Sequence, residues 1–460
     1  MHIHRDDLGR LRQRCAQVEG ARGHCARVGS RGDIGLRISD CGLDRQERPL
    51  ARSFNPKSAI ANPQSLPSPT IYLDHNATTR PAREVVEAVA SAMTDRWANP
   101  SSVHRAGQDA RHAIELARAS VAALIGAKAK SITFTSGGTE AIDLAIRGTL
   151  PPAATPSRVV STTIEHTAVR DLLARLSEQG AITLDHLKID HAGIVTAESI
   201  DRAITPGTRL VTVQWANNET GAVQPVAAIA ARCRAVGATF HCDATQWVGK
   251  MPVDIGEAGS RSASPPCDLL TCSAHKWHGP KGVGILWLRA GQRLAPRIIG
   301  TQEKGRRGGT EHTEGIIGAG VAATLAQQWL ADPAARGALA ALRDRFEQRV
   351  LADNPGAVVN GPADPSLRLW NTTNIAFPRL EAEALLMAFS ERGLCASAGA
   401  ACSSGSLDPS PVLLAMGIPP ALAHGSIRFS LSRDTTQEDV DEAAAIVAAC
   451  VARVGSSMTG

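Results

Sequence analysis

The sequence predicts an α/β fold in two parts: a large, mainly parallel sheet covered by helices over residues 71–330, and a small α+β unit over residues 331–460. Three observations predict it. From Ser131 onward, short apolar runs alternate with stretches of helical periodicity, as they do where parallel strands are joined by crossover helices. Several of those runs end in glycine and polar residues, and open α/β sheets bind ligands beyond the carboxyl ends of their strands. After two long helical stretches, Ala319–Leu330 and Ala334–Leu351, strands and helices follow in a different order.

Composition narrows the class. At 460 residues, with 43% hydrophobic and 20% charged residues, the chain can bury more than one core. No apolar run approaches the roughly 18–20 residues that span a bilayer, so no membrane attachment is expected. Residues 1–68 hold 12 Arg/Lys against 7 Asp/Glu, which accounts for the whole formal net charge of +5. The remainder is near neutral, which argues against a nucleic-acid footprint. The ten cysteines include no Cys-x-x-Cys pair, and no secretory signal opens the chain. Reduced thiols in a cytoplasmic protein are expected, with neither a disulfide framework nor a metal site.

Residues 1–68 are rich in Arg, Gly, Ser and Pro and lack sustained periodicity. Such a segment buries too little apolar surface to offset its ordering entropy, so a disordered, catalytically dispensable extension is expected. Asp6, Asp7, Glu19 and Asp33 are out of keeping with a transit peptide. Order is expected to begin with a short strand in Ile71-Tyr72-Leu73-Asp74-His75-Asn76-Ala77-Thr78-Thr79, and residues 71–82 can pack with the small domain. A helix from Ala82 to about Met93 follows; Asn99-Pro100-Ser101-Ser102 then caps another that runs to about Ile125. Strands are expected at Ile132–Thr135, Arg158–Thr163, Ile182–Leu187, Leu210–Gln214, Thr239–Cys242, Leu269–Ser273 and Val283–Leu288. Helices Thr139–Gly148, Ala168–Glu178, Ala197–Ala203 and Val226–Val236 separate most of them. The small domain should contain strands Thr373–Phe377 and Ser426–Ser430 with helices Ala382–Arg392 and Gln437–Val454.

The chemistry concentrates at strand ends. Lys276 follows Leu269–Ser273 in Ser273-Ala274-His275-Lys276, and a lysine desolvated there loses its proton cheaply and can form a Schiff base. The bland alternative is a solvated turn lysine, and Lys250 and Lys281 are the other amines within reach in sequence. Ser136-Gly137-Gly138-Thr139-Glu140 joins a strand to a helix start whose free N–H groups favour a phosphate. Alone it could be a tight βα turn, and it is neither a Walker loop nor GxGxxG. Asp243 ends another strand, where a carboxylate can keep a pyridine nitrogen protonated or simply cap a helix. His166 and Asn218 follow two further strands, where an imidazole can stack on a flat ring.

Two features lie outside this crevice. Cys402 stands in Ser397-Ala398-Gly399-Ala400-Ala401-Cys402-Ser403-Ser404-Gly405-Ser406, a loop of small residues that suits a travelling nucleophile. Arg428 sits among strand-forming neighbours and requires an anionic partner, either a ligand carboxylate or a structural one. Cys395 reads as packing at a helix exit.

From about Ile71 to Val454 the chain resembles the cysteine desulfurases, NifS/IscS type, of the class V aminotransferase family. The blocks that carry the resemblance are Tyr72–Thr79, Ser136–Glu140, Asn217-Asn218-Glu219-Thr220-Gly221, Asp243-Ala244-Thr245-Gln246, Ser273–Lys276 and Ser426–Ser430. The resemblance implies an aspartate aminotransferase-like, fold type I enzyme dependent on pyridoxal 5'-phosphate (PLP). It would convert L-cysteine to L-alanine and pass the sulfur to an enzyme cysteine for iron-sulfur cluster assembly or another sulfur-transfer pathway. It also implies the roles. Lys276 bonds the cofactor aldehyde and moves the substrate α-proton; Asp243 pairs the ring nitrogen; His166 stacks on the ring. Asn218 and Gln246 address the ring hydroxyl, while Gly138, Thr139, Ser273 and His275 cradle the phosphate. Thr310 reaches the phosphate of the partner subunit in a homodimer. Arg428, with Asn218 beside it, holds the substrate carboxylate, and Cys402 takes the sulfur. The Cys402 loop, with Leu407-Asp408-Pro409-Ser410 after it, looks like the mobile-loop subgroup. A sulfur acceptor or iron-sulfur scaffold protein is the implied partner. The rival activities on this frame are selenocysteine lyase, cysteine β-lyase and transaminase; an inactive scaffold protein is the rival outside enzymes.

Overall fold

The computed structural model describes residues 70–150, 155–256, 266–398 and 408–457. The extension 1–68 and Cys402 lie outside these residues.

Seven strands form the central sheet in the order β2-β8-β7-β6-β5-β3-β4. They are β2 (Ile132–Thr135), β3 (Ser157–Ser161), β4 (Ile182–His186), β5 (Thr208–Gln214), β6 (Thr239–Asp243), β7 (Leu269–Ser273) and β8 (Gly284–Leu288). Neighbours pair in parallel except at β8, which runs antiparallel to both β2 and β7. The carboxyl ends of β2, β3, β5, β6 and β7 therefore open on the same edge. β7 shows why these strands read as apolar runs: all five residues are buried, because helices cover both faces. Leu269 and Leu270, both 0% exposed, each contribute roughly 1.5–3 kcal/mol by burial.

Helices α1 (Arg83–Asp95) and α2 (Arg105–Leu124) precede the sheet, and α3 (Gly138–Thr149), α4 (Thr167–Glu178), α5 (Ala197–Ala203) and α6 (Val226–Val236) connect its strands. Helix α7 (Thr313–Leu330) starts six residues before the expected Ala319. One of its glycines is a packing requirement. A Cβ on Gly320 would lie 2.6 Å from the Ala117 Cα, so only glycine lets α7 approach α2 this closely.

A second core gathers around α8 (Pro333–Asp353), α9 (Ala382–Glu391) and α12 (Gln437–Ser457). Its sheet places β10 (Thr372–Ala376) between β9 (Val358–Asn360) and β12 (Ser426–Ser430), antiparallel to both. Strand β1 (Ile71–Tyr72) pairs in parallel with β11 (Leu394–Cys395), and Ile71 and Leu73 pack in the same core as Phe389 and Phe429. The sequence reading lacked β9, β11 and the short helices α10 (Pro411–Ala415) and α11 (Pro420–Ala423), which are too short to show a period. Cys395 lies in β11, half-buried, opposite Tyr72.

Candidate active site

A cavity of about 250 Å³ opens at the carboxyl edge of the central sheet. Nine of the expected residues line it: Gly138, Thr139, His166, Asn218, Asp243, Gln246, Ser273, His275 and Lys276. They come from the exits of five strands, β2, β3, β5, β6 and β7. After β2, the chain turns through Gly137 into α3, whose first turn has no side-chain cap. That turn is tightly packed from below: a Cβ on Gly284 of β8 would sit 2.1 Å from the Gly137 carbonyl oxygen. On its open side, a Cβ on Gly137 would meet nothing within 4 Å. Gly138 and Thr139 of this uncapped first turn line the cavity, and a helix start without a side-chain cap is suited to bind an anion.

After β3, His166 is the N-cap of α4, and its Nδ1 accepts from the Ala168 N–H at 3.1 Å. The capping bond fixes the ring's orientation toward the cavity. Asp243 is the last residue of β6; its Oδ1 accepts from the Thr245 N–H at 3.0 Å. Lys276 ends a single 3-10 turn after β7 and donates to the carbonyl oxygens of Asn76 at 2.5 Å and Ala77 at 2.7 Å. Neither Lys250 nor Lys281 lines this cavity.

Below the cavity lies a polar network that the sequence did not reveal. Lys250 is 5% exposed and donates to Asn76 Oδ1 at 2.7 Å and Gln246 Oε1 at 2.6 Å. An ammonium or amine side chain of this kind has only donors to offer a carbonyl, so both amide oxygens are turned toward it. The Gln246 amide nitrogen then faces the other way and donates to the Asn76 carbonyl oxygen at 3.0 Å. Burial, with Lys276 and Arg428 nearby, holds the Lys250 amine well below the ordinary lysine range. Thr245 was also missed: its Oγ1 lines the cavity side and is buried without a hydrogen-bond partner. An orphaned hydroxyl of that kind is the mark of a site built around a polar ligand.

Two titratable groups around the cavity are held neutral by burial. Burial, then the positive charges of Lys276, Lys281 and Lys250, lower His275 to about 4. Glu165, wholly buried beside His166, rises to about 8 through desolvation, despite hydrogen bonds from the Thr162 hydroxyl at 2.6 Å and the Gln214 N–H at 2.9 Å. Its carboxyl group is thus protonated at neutral pH.

Three expected residues stand apart. Arg428 does not line the cavity. Its Nη2 lies 2.6 Å from Asp74 Oδ1, its Nη1 donates to the Asn218 carbonyl oxygen at 3.2 Å, and its Nε is buried without a partner. The structural ion pair weighed for this arginine is therefore present, and the guanidinium still touches the segment that carries Asn218. Thr310 is exposed and does not line the cavity of its own chain. The loop before it is pinned by a buried pair, Arg118 to Glu303 at 2.7 Å, which sustains left-handed backbone at Glu303 (φ 48°) and Lys304 (φ 60°). Cys402 lies outside the described residues; Ser397, on the near side of its loop, accepts from the Arg428 N–H at 2.6 Å.

The family model Aminotransferase class-V matches residues 71–443. A cysteine desulfurase of Trichormus azollae is 44% identical over 385 residues, covering 84% of this chain and 93% of the relative. The cysteine desulfurase NifS of Azotobacter vinelandii is 43% identical over 373 residues, 81% of this chain and 90% of that one. Among solved structures, a NifS-like protein superposes with a TM-score of 0.75 at 31% identity, covering 84% of this chain and all 100% of its own. SspA in complex with cysteine gives a TM-score of 0.66 at 31% identity over 78% of this chain and 98% of its own.

Proposed function

The chain belongs to the class-V aminotransferase family and, within it, to the cysteine desulfurases, and from that premise we propose how its residues divide the work. The reaction takes L-cysteine to L-alanine and leaves the sulfur on an enzyme cysteine as a persulfide. The similarity to named cysteine desulfurases over most of the chain does not favour the lyase and transaminase alternatives.

PLP is the proposed cofactor, and the residues of the front cavity fit it. The uncapped first turn of α3 and the orphaned Thr245 hydroxyl suit a phosphate, and a buried carboxylate at Asp243 suits a pyridinium. Gly138, Thr139, Ser273 and His275 would hold the phosphate, Asp243 the ring nitrogen, His166 the ring face, and Asn218 and Gln246 the ring hydroxyl. When bound, the cofactor supplies an aldehyde carbon for the substrate amine and a ring that accepts electrons from Cα.

Lys276 is the base that takes the α-proton, held on target by the two carbonyls it contacts. Arg428 receives the substrate carboxylate by exchanging its bond to Asp74, and Asn218 lies beside it. The thiolate of Cys402 forms an S–S bond as the substrate Cβ–S bond breaks. The electron pair stays with carbon, which takes up a proton to become the methyl group of alanine. One observation carries this reading: Lys276, Asp243, His166 and an uncapped helix start share one cavity. With PLP bound, L-cysteine and a reductant should yield alanine and sulfide in equal amounts. Lys276→Ala should lose both turnover and the near-visible absorbance band. A band that survives, or a keto acid product, contradicts the assignment.

Thr310 is proposed to serve the cavity of a second protomer, because it is exposed and does not line the cavity of its own chain. Sedimentation at micromolar concentration should then read a dimer of the 48.2 kDa chain, and a fully active monomer contradicts it. No helix among the described residues is long and apolar enough to cross a membrane. A cytoplasmic acceptor or iron-sulfur scaffold protein is proposed to take the sulfur onward. Transfer of labelled sulfur from the enzyme to an added scaffold protein checks this, and retention of the label argues against it.

A further inference from the structure

The segment that carries Cys402 is anchored on described residues at both ends, and each end packs in a different apolar cluster. Before it, Ser397 bridges antiparallel to Arg428 of β12. The Ser397 N–H donates to the Arg428 carbonyl oxygen at 3.2 Å, and the Ser397 carbonyl oxygen accepts from the Arg428 N–H at 2.6 Å. Ala396 and Ala398 pack there against the core of the small domain. After it, Val412 and Leu413 of α10, with Met416, pack around Ile164, which lies between the end of β3 and His166.

A buried polar contact fixes the second anchor. Ser410 is the N-cap of α10, and its Oγ accepts from the Val412 and Leu413 N–H groups at 3.2 and 3.3 Å. A serine hydroxyl has two lone pairs and one hydrogen. The helix start takes both lone pairs, so the hydrogen is committed to Glu219, whose Oε2 lies 2.5 Å away. Both residues are only 4% exposed, and a carboxylate so buried is costly to leave without a donor. Glu219 is fixed in turn by Asn217, whose Oδ1 accepts from the Glu219 and Thr220 N–H groups at 2.8 and 2.9 Å. The Asn217 Nδ2 donates to the Ile164 carbonyl oxygen at 3.1 Å, which ties this turn to the same cluster as α10.

Both anchors therefore fall on the residues proposed to hold the substrate carboxylate. The first is the backbone of Arg428. The second is the chain neighbour of Asn218, and the Asn218 carbonyl oxygen accepts from Arg428 Nη1 at 3.2 Å. We infer that Glu219 and Ser410 are positioning residues for sulfur transfer, their bond registering the chain that returns from Cys402 on the turn that carries Asn218. The inference rests on Cys402 as the acceptor of sulfur. Thiol and substrate are then referred to one point, as an attack on the substrate sulfur requires. Neither Glu219 nor Ser410 lines the cavity in which Lys276 lies, so proton transfer there does not depend on their bond.

The test separates the step that needs Cys402 from one that does not, using the PLP-loaded full chain. Alanine formed in the first turnover, without reductant, reads the first. The rate of the absorbance change on mixing with L-cysteine reads the second. Ser410→Gly is the variant of choice, because glycine is tolerated at an N-cap and the helix start keeps its geometry. First-turnover alanine should form roughly tenfold more slowly or worse, the loss expected of one hydrogen bond to a charged group. The absorbance change should stay within twofold of the wild type in rate and in its dependence on L-cysteine concentration. Glu219→Gln should slow the same step, and the double variant should be no slower than the slower single one, because both act on one bond. Alanine formation within twofold of the wild type in Ser410→Gly overturns the inference, as do additive losses in the double variant. A fall of both readouts together overturns it as well, since that marks a merely structural bond. If Cys402→Ser forms alanine at the wild-type rate, the reading of Cys402 fails, and the inference falls with it.

Discussion

On the central sheet, His166, Asn218, Asp243 and Lys276 each lie at or just past the carboxyl end of a strand. Away from it, Arg428 lies inside β12 and Thr310 in the stretch between β8 and α7. The first side is a frame. Sheet ladders fix the strand ends, and local bonds such as His166 to Ala168 N–H and Asp243 to Thr245 N–H fix the side chains. The second side depends on exchangeable partners. Arg428 already holds a carboxylate, Asp74 at 2.6 Å, with which we propose the substrate carboxylate competes. A rigid frame suits chemistry that needs a base at one fixed point, whereas an exchangeable ion pair suits a group that must release each product.

Arg428→Lys should break the exchangeable side while sparing the frame. Lysine cannot offer a bidentate fork, and a bond to a charged group is worth about 1.5–3 kcal/mol, so KM for L-cysteine should rise roughly 10–100-fold. The absorbance band should stay unchanged and kcat should fall by less than KM rises. Steady-state kinetics with the variant checks this, and a fall in kcat at constant KM would make the Asp74 pair purely structural.

A smaller effect should appear in the frame as pH falls. His75 is lowered to about 3, and His241 and His275 to about 4, each chiefly by burial. The unfolded chain takes up these protons from about pH 6.5 downward, and the folded chain does so only near 3–4. Stability present above pH 6.5 is therefore lost progressively across that window. Thermal unfolding midpoints should drop between pH 6.5 and 4, and His241→Gln should reduce the slope. A profile flat over that range contradicts the buried, neutral histidines.

The same contrast explains what could be read in the chain. Asp243 and Lys276 were legible because an apolar run of strand length announces its own carboxyl end. Strand β7 falls at the expected Leu269–Ser273, and β6 closes on Asp243, one residue beyond the expected end. Asp74 as partner of Arg428 was not legible, since 354 residues separate them and nothing local marks the pair. Lys250 and Asn76 were hidden for the same reason: their bond joins positions 174 apart, and a buried lysine bound to amides resembles any turn lysine in sequence. The stretch by which α7 starts early contains Gly315 and Gly318, and a Cβ on Gly318 would lie 2.6 Å from a methyl carbon of Val89 on α1. Strand β11, two residues long, exists only through its pairing with β1.

We propose a division of work, with Lys276 for proton transfer and Cys402 for sulfur. Mass spectrometry after a reductant-free pulse of L-cysteine tests it most directly. The account predicts one added sulfur atom on the peptide carrying Cys402. Cys402→Ser should still shift the PLP spectrum with L-cysteine while releasing almost no sulfide, and Cys395→Ser should stay active. The added sulfur on Cys395 or Cys272 instead, with Cys402→Ser still turning over, would contradict it.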